Sequence, residues 1–400
     1  MHGARLTEPR LNSLRFHGLD TLRSLAIFAV IVFHLLDFGG DHTLPAWLEP
    51  IAQYGWIGVD LFFVLSGYLI GSQLLKPYAR GERPGLWGFY RNRFYRILPA
   101  YLVVLAAYYW IPKWPEFDGI GSPWRYLTFT FNLWLPASRA LPFSHVWSLC
   151  VEEHFYLLLP LIVLVLMRKP SLWKAAAVVV GIFLFGIAVR SFFLVHTLQA
   201  LNSAGDSWGR EYMARIYYPT YSRLDGLLAG VVLAAVRVFQ PAWWQGIVRR
   251  GHLLTVGAIG LVVTAVWITR DRYDSVTGVA AVGNIVGFPI LALGLACLVA
   301  SSISLNGLLS RWKIPGTRLI ATLAFTLYLT SKELIHVVDL CFPRLHEASM
   351  WGWLAVYTGF CLVVAGTLHL CVERPFLWLR DRNSTARLMS KPMPKESASV

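Results

Sequence analysis

The hydrophobic positions of the chain form long runs separated by short polar segments. Ten runs are long enough to cross a hydrocarbon layer about 30 Å thick, since a helix rises about 1.5 Å per residue. They lie near residues 19–37, 56–75, 97–112, 147–167, 174–195, 217–237, 252–269, 278–300, 318–340 and 350–371. A shorter run, 124–135, lies between Pro123 and Pro136, and we predict a re-entrant or interfacial segment there. The pattern predicts an all-α, polytopic transmembrane helix bundle of about ten spans.

Composition agrees with a membrane protein and excludes a soluble globular one. Of the 400 residues, 56% are hydrophobic and only 14% are charged, which is too few polar groups to cover so much apolar surface. The net charge of +14 does not indicate nucleic-acid binding, because the basic residues lie in short clusters between the apolar runs. The five cysteines fall in or beside apolar runs without C-x-x-C spacing, so we expect neither a metal site nor a redox pair.

The basic clusters also predict the topology. They follow spans two, four, six, eight and ten, and cytoplasmic loops are enriched in Lys and Arg, so both termini should be cytoplasmic. We divide the chain into a cytoplasmic N-terminus (1–18), a membrane domain (19–371) and a polar cytoplasmic tail (372–400) that should be mostly disordered. The N-terminus has no apolar stretch followed by a small-residue cleavage site, so no signal peptide is predicted.

Span one carries two ionisable residues at membrane depth, Arg23 and His34. Such residues cost roughly 2.5–3.5 kcal/mol each and therefore indicate function. Their offset of eleven residues is close to three full turns, so both side chains should share one helix face, about 16 Å apart. Arg23 could also be an interfacial residue whose guanidinium group reaches water. His34 lies in the predicted outer half, and Asp37 at i+3 could hold its ring.

Spans two and four begin with acidic residues. Asp60 could cap its helix, and the small residues around it, Gly58 to Gly67, favour close helix packing. In span four, Glu152, Glu153 and His154 follow one another, and adjacent residues diverge by about 100° on a helix, so they cannot all face one pocket.

Spans six and nine carry further charges. Arg223 and Asp225 would diverge by about 200° on a regular helix, so either Pro219 leaves an irregular start or the two residues have different partners. In span nine, polar residues recur at helical spacing, which predicts either a polar stripe inside the bundle or an internal ion-pair network. They are Lys332, Glu333, His336 and Asp339.

Six segments, taken in order, give the sequence a resemblance to a known family. The first contains Arg23 and His34, and the others surround Asp60, the arginines of 91–99, Glu152, Arg223 and Glu373. They are 19–34, 58–68, 91–99, 147–156, 223–226 and 372–375. The chain resembles, over nearly its whole length, the acyltransferase-3 family of integral membrane acyltransferases that O-acylate sugars and other carbohydrate-like or polyketide acceptors.

The resemblance implies an O-acetyltransferase of a bacterial cytoplasmic membrane. It implies acetyl-CoA as the donor, and as the acceptor a hydroxyl of a cell-envelope carbohydrate such as lipopolysaccharide, exopolysaccharide or peptidoglycan. One departure is Ser331, where the family usually has His; His336 could substitute, although it faces another direction. We expect no fused esterase-like domain of the kind that some family members carry.

Acyl transfer to an alcohol needs a base with a near-neutral pKa, and His34 is the candidate. Asp37, Asp60 or Glu152 could orient it, and Glu152 is favoured because it belongs to a matching segment at similar depth. Arg223 could stabilise the oxyanion. The predicted catalytic residues are His34, Glu152, Arg223 and Asp60.

The arginines of 91–99 suit the phosphates of CoA, and Arg93 and Arg96 share a face at i and i+3. Their alternative role is to set topology. The predicted acetyl-CoA-binding residues are Arg23, Arg91, Arg93 and Arg96. Buried charges on several helices are also typical of a proton-coupled transporter, the alternative function, although no inverted repeat of broken helices is evident. A third alternative is an inactive structural protein, which only Ser331 suggests.

Overall fold

A computed structural model describes residues 8–39, 43–115, 119–135, 142–198, 206–270, 278–304, 306–311 and 314–389. These ranges contain helices and no strands. Each of the ten predicted segments overlaps one helix, and an eleventh helix follows. The main helices, leaving aside those of nine residues or fewer, are α1 Glu8–Phe38, α2 Ile57–Ala79, α3 Leu86–Trp110, α4 Trp147–Arg168, α5 Leu172–Phe193, α6 Asp225–Phe239, α7 Gly251–Thr269, α8 Gly278–Ile303, α9 Thr317–Cys341, α10 Met350–Leu368 and α11 Arg374–Met389.

The all-α, multi-pass architecture is confirmed. Within the described ranges, seven helices are long and apolar enough to span a membrane, namely α1, α2, α4, α5, α7, α8 and α10. Helix α6 and the following Pro241–Arg249 helix meet at 113° and make an eighth if they count as one broken span. The arginines of α3 and the ionisable residues of α9 make these two helices less apolar. The count of ten spans therefore stays a prediction.

Helices α1 and α2 form the centre of the bundle. Helix α1 packs against α2, α8 and α9, while α2 packs against α4, α6 and α8. Helix α7 packs against α8, and α10 packs against α9. The ionisable residues of α1, α2 and α9 are thereby brought to one interior region.

Two glycines allow α2 and α6 to cross with their backbones in contact. A Cβ atom on Gly67 would lie 2.0 Å from the carbonyl oxygen of Leu227, and one on Gly230 would lie 2.2 Å from that of Val64. Any larger residue would force the helices apart. The close packing predicted for this part of span two is confirmed.

The short apolar run before α4 does not form a spanning helix. It contains the helix Pro123–Leu127 and the 3₁₀ turn Phe131–Leu133. The hydroxyl of Tyr101 donates to the carbonyl of Tyr126 at 2.9 Å, and Asn132 Nδ2 donates to the carbonyl of Tyr218 at 3.0 Å. The segment is thus held against the bundle, and its re-entrant or interfacial position stays a prediction.

The C-terminal tail differs from the prediction of disorder over Arg374–Met389, which is helical. Arg96 Nη1 lies 3.9 Å from Glu373 Oε1, and the rings of Tyr95 and Phe376 are 6.3 Å apart. These contacts fix the start of α11 against α3, and helix formation can continue from that fixed turn. Residues 390–400 lie outside the described part of the chain.

Candidate active site

A cavity of about 990 Å³ lies between α2, α3, α4 and α9. We call it the arginine cavity, because Arg23, Arg91, Arg93 and Arg96 all line it. Along α2 its lining extends from Val59 to Pro77, which is about 27 Å of helix. The cavity therefore follows most of the thickness of a hydrocarbon layer of about 30 Å. The four arginines predicted to bind the donor therefore lie along a single cavity.

Aromatic and acidic groups hold these arginines in place. The guanidinium carbon of Arg93 lies 5.0 Å from the ring centre of Tyr156. Arg96 faces the buried carboxylate of Glu373, which also lies 2.7 Å from His369 Nδ1. The segment 372–375 therefore anchors one wall of the arginine cavity. Arg23 Nη1 lies 3.5 Å from Asp20 Oδ1.

Glu152 also lies in the arginine cavity. Its Oε2 accepts hydrogen bonds from the hydroxyls of Tyr156 at 2.5 Å and Ser66 at 3.2 Å. Since Ser148, Glu152 and Tyr156 are spaced at i, i+4 and i+8, one face of α4 carries all three into this cavity. The structure thus gives Glu152 partners other than His34, the residue that it was predicted to orient.

His34 is buried and lines a second, smaller cavity of about 50 Å³. We call it the histidine cavity, because His145 lines it as well and the two ring centres are 5.9 Å apart. The Nδ1 atoms of both rings are buried without a hydrogen-bond partner among the described residues. Of the three carboxylates considered for His34, Asp37 lines this cavity, whereas Glu152 and Asp60 do not.

A buried lysine supplies positive charge to the histidine cavity. Lys332 Nζ donates to Ser144 Oγ at 3.2 Å and lies 4.2 Å from the ring centre of Phe38. The polar stripe predicted on α9 serves more than one purpose, because Asp339 Oδ1 accepts from Trp353 Nε1 at 2.7 Å. His336 does not line the histidine cavity.

Ser331, which stands where the family usually has His, is fully buried. The hydroxyl of Tyr357, on α10, donates to the carbonyl of Ser331 at 3.0 Å. Ser331 Oγ has no hydrogen-bond partner among the described residues, and the residue lines neither of the two cavities. The structure therefore places neither Ser331 nor His336 beside His34.

Arg223 and Asp60 form a buried ion pair. Nη2 of Arg223 donates to both carboxylate oxygens of Asp60 at 2.9 Å. The guanidinium also lies 3.9 Å from the ring centre of Phe288 and 4.4 Å from that of Tyr217. Asp60 is in the first turn of α2, but the residue at the N-cap is Trp56, so the capping alternative does not apply.

The geometry gives no support to the oxyanion role predicted for Arg223. Tyr217 and Trp147 line the histidine cavity, and Arg223 is stacked behind them without lining it. The catalytic role predicted for Asp60 also lacks support, because Asp60 does not line the histidine cavity and its carboxylate is bound to Arg223. The pair is placed to position these two aromatic rings.

Asp225, the other charged residue predicted at the start of span six, has a partner of its own. Arg190, which is fully buried on α5, donates to Asp225 Oδ2 and to the carbonyl of Ser222 at 2.7 Å each. A 3₁₀ turn, Thr220–Ser222, precedes α6. Both explanations for the spacing of Arg223 and Asp225 are therefore correct: the start is irregular and the partners differ.

The two cavities meet at two shared residues, Val59 and Tyr328, which line both. The arginines and the predicted base thus line two neighbouring cavities, and this pair of side chains lies between them. Within the described ranges, no group of three or more His, Cys, Asp or Glu side chains is arranged to bind a metal.

Comparison with known proteins identifies the family. A sequence model of the acyltransferase-3 family, described as an acyltransferase domain, matches residues 16–370. The chain belongs to the acyltransferase-3 family. This membership confirms the resemblance and favours an acyltransferase over a proton-coupled transporter.

Several relatives of this acyltransferase-3 protein are known by name. O-acetyltransferase OatA of Staphylococcus aureus (strain NCTC 8325 / PS 47) is 29% identical over 266 residues, which are 63% of this chain and 39% of OatA. A second protein of that species, SACOL0978 of strain COL, is 33% identical over 231 residues, or 54% of this chain and 34% of its own length. The matches thus cover well under half of these relatives. No solved structure matches the chain.

Two residues of this family member were missed in the sequence, His145 and Tyr328. His145 is two positions before Trp147, immediately outside the segment that was compared, and a histidine next to that motif was the available signal. Tyr328 is three residues before Ser331 in span nine, but no feature of the sequence distinguishes it from the other aromatic residues of the bundle. Only the structure shows that it lies between two cavities, where its hydroxyl meets Ser148 of α4.

Proposed function

We propose that this chain is a membrane O-acetyltransferase that transfers an acetyl group from acetyl-CoA to a hydroxyl of a cell-envelope carbohydrate. The observation that carries the proposal is the meeting of the arginine cavity and the histidine cavity at Val59 and Tyr328. A phosphorylated donor and a base for the acceptor are thereby given adjoining sites. The name O-acetyltransferase, carried by OatA, supports acetyl as the group transferred.

The arginine cavity suits CoA in charge and in size. Guanidinium groups form paired hydrogen bonds with phosphates, and Arg23, Arg91, Arg93 and Arg96 line this cavity. Its volume of about 990 Å³ is at the upper end of the roughly 300–1,000 Å³ found for ligand pockets. The reactive end of the donor would extend along α2 toward Val59 and Tyr328.

In the proposed reaction, His34 removes the proton of the acceptor hydroxyl as its oxygen attacks the thioester carbonyl. A carbon–oxygen bond forms, the carbon–sulfur bond of acetyl-CoA breaks, and the proton passes from His34 to the sulfur of CoA. Lys332, in the same cavity, supplies positive charge to the developing oxyanion. Asp37, which also lines that cavity, stabilises the protonated ring of His34 in this proposal.

The proposed reaction links two compartments. The arginine cavity includes residues of the basic loop between α2 and α3, Pro84 and Gly85, and the basic-loop count assigns this loop and both termini to the cytoplasm. His34 is near the C-terminal end of α1, away from the N-terminus that this count assigns to the cytoplasm. We propose that acetyl-CoA binds from the cytoplasm and that the carbohydrate is acetylated at the outer face of a bacterial cytoplasmic membrane.

Release of the CoA thiol tests the proposal. Purified protein in detergent is mixed with acetyl-CoA and envelope glycan fractions, free thiol is measured with a chromogenic disulfide, and the glycans are analysed by mass spectrometry. We expect thiol release that depends on the acceptor, together with a glycan that gains one acetyl group. Absence of thiol release and of acetylated product with every fraction would contradict the proposed function.

A further inference from the structure

The boundary between the two cavities is narrow and consists of side chains from two helices. Val59, on α2, and Tyr328, on α9, line the arginine cavity on one side and the histidine cavity on the other. Both residues are buried. A group that moves from the arginines to His34 must pass these two side chains.

Hydrogen bonds fix the position of Tyr328 at this boundary. Its hydroxyl donates to the carbonyl of His145, and Ser148 Oγ lies 2.6 Å from the same hydroxyl. Because Tyr328 has one hydroxyl proton, Ser148 is the donor in the second bond. The ring also meets the ring of His145 edge-on at 5.5 Å. Ser148 lines the arginine cavity and His145 the histidine cavity, so Tyr328 connects the walls of both.

The histidine cavity has room for a small group only. Its volume is about 50 Å³, and roughly 10–15 Å³ is enough to hold one water molecule. The cavity therefore accepts about three to five groups of that size. The carbonyl carbon, oxygen and methyl group of an acetyl together with the acceptor oxygen make four such groups, which fit this space. A butyryl group and the acceptor oxygen make six, so the end of the longer chain must remain at the boundary or behind it.

We propose that Tyr328, together with Val59, selects the acyl group by length. An acetyl thioester passes the boundary and reaches His34; a longer acyl-CoA binds in the arginine cavity with its chain stopped at Tyr328. Tyr328 is then a specificity-determining residue. This inference rests on the proposed acetyltransferase function and adds the origin of its donor preference.

The unmodified protein provides the first test, by thiol release with acetyl-CoA and with butyryl-CoA. We expect turnover of acetyl-CoA, and competitive inhibition by butyryl-CoA with little turnover of its own. Equal kcat/KM values for the two donors would overturn the inference while leaving the proposed function intact. Failure to turn over acetyl-CoA would contradict the proposed function itself.

Substitutions at the boundary then test which residues select the acyl group. In Tyr328→Ala we expect the butyryl-to-acetyl ratio of kcat/KM to rise at least about tenfold, since one methylene is worth about 10–200-fold in a tight pocket. Val59→Ala should raise the ratio in the same direction and is a second variant on another helix. The matched control is Phe325→Ala, which also removes an aromatic ring from α9 and the arginine cavity but lies outside the boundary. An unchanged ratio in both boundary variants, or an equal rise in the control, would contradict the assignment.

Discussion

Asp60 and Arg223, residues of two different helical segments, are joined by two buried hydrogen bonds of 2.9 Å between Nη2 and the carboxylate oxygens. The pair lies at the first turn of α2 and immediately before α6, the two helices that cross at Gly67 and Gly230. Two opposite charges are thus buried together, next to the aromatic wall of the histidine cavity. Loss of either partner would leave the other charge uncompensated.

The substitution Asp60→Asn should therefore destabilise the protein. Removing one partner of a buried ion pair costs about 3–5 kcal/mol. We expect a clearly lower thermal unfolding midpoint in detergent, with near-normal turnover per folded molecule. Glu82→Gln, at an exposed position between α2 and α3, is the control. An unchanged midpoint together with lost turnover would show that Asp60 takes part in the chemistry, as the sequence had suggested.

The crossing of α2 and α6 predicts a second stability effect. In Gly67→Ala the new methyl group would approach the carbonyl oxygen of Leu227 to 2.0 Å, which requires the helices to separate. We expect a lower yield of folded protein and a lower unfolding midpoint. Gly181→Ala is the control, since no atom outside its own stretch of helix lies within 4 Å of that added methyl group. Equal behaviour of the two variants would contradict the backbone contact.

His34→Ala should abolish acetyl transfer and leave folding and membrane insertion intact. Loss of a general base lowers the rate by about 10²–10⁴-fold, so we expect kcat to fall in this range while acetyl-CoA still binds. His252→Ala, an exposed histidine at the start of α7, is the control. Turnover of His34→Ala above roughly a tenth of the unmodified rate would exclude His34 as the base.

The arginine cavity predicts a change in donor affinity. The double substitution Arg93→Ala with Arg96→Ala should raise the KM for acetyl-CoA and lower kcat much less, because phosphate contacts contribute equally to ground-state and transition-state binding. The matched control is Arg80→Ala with Arg83→Ala, an exposed pair on the loop between α2 and α3 that does not line the cavity. Equal effects of the two pairs would leave these arginines with a topological role only.

The sequence predicted much of the fold, because the bilayer imposes a strong signal. Long apolar runs specify helices one at a time, and each predicted run overlaps a helix of the structure. The prediction was weaker where tertiary contacts decide whether a segment is helical. The helix Arg374–Met389 is polar, and its start is held against α3 by Glu373 and Phe376, which no local pattern reveals.

The sequence suggested individual residues of the candidate site, but it did not predict their pairings. The four arginines and His34 could be found because a charge at membrane depth is costly and therefore conspicuous. Which carboxylate faces which cation depends on helix rotation and crossing, so Asp60 and Glu152 were placed beside His34 when the structure gives them other partners. Tyr328 lies between two cavities, and a cavity has no signature in a sequence.

The central claim is that an acetyl group travels through the protein from the arginine cavity to His34. The most direct measurement uses sealed proteoliposomes of one known orientation, with isotopically labelled acetyl-CoA on the side of Arg91 to Arg96 and an impermeant glycan acceptor on the other side. We predict labelled acceptor in this arrangement, and none when both substrates are confined to the arginine side. Labelled acceptor formed only when both substrates share the arginine side would contradict the account.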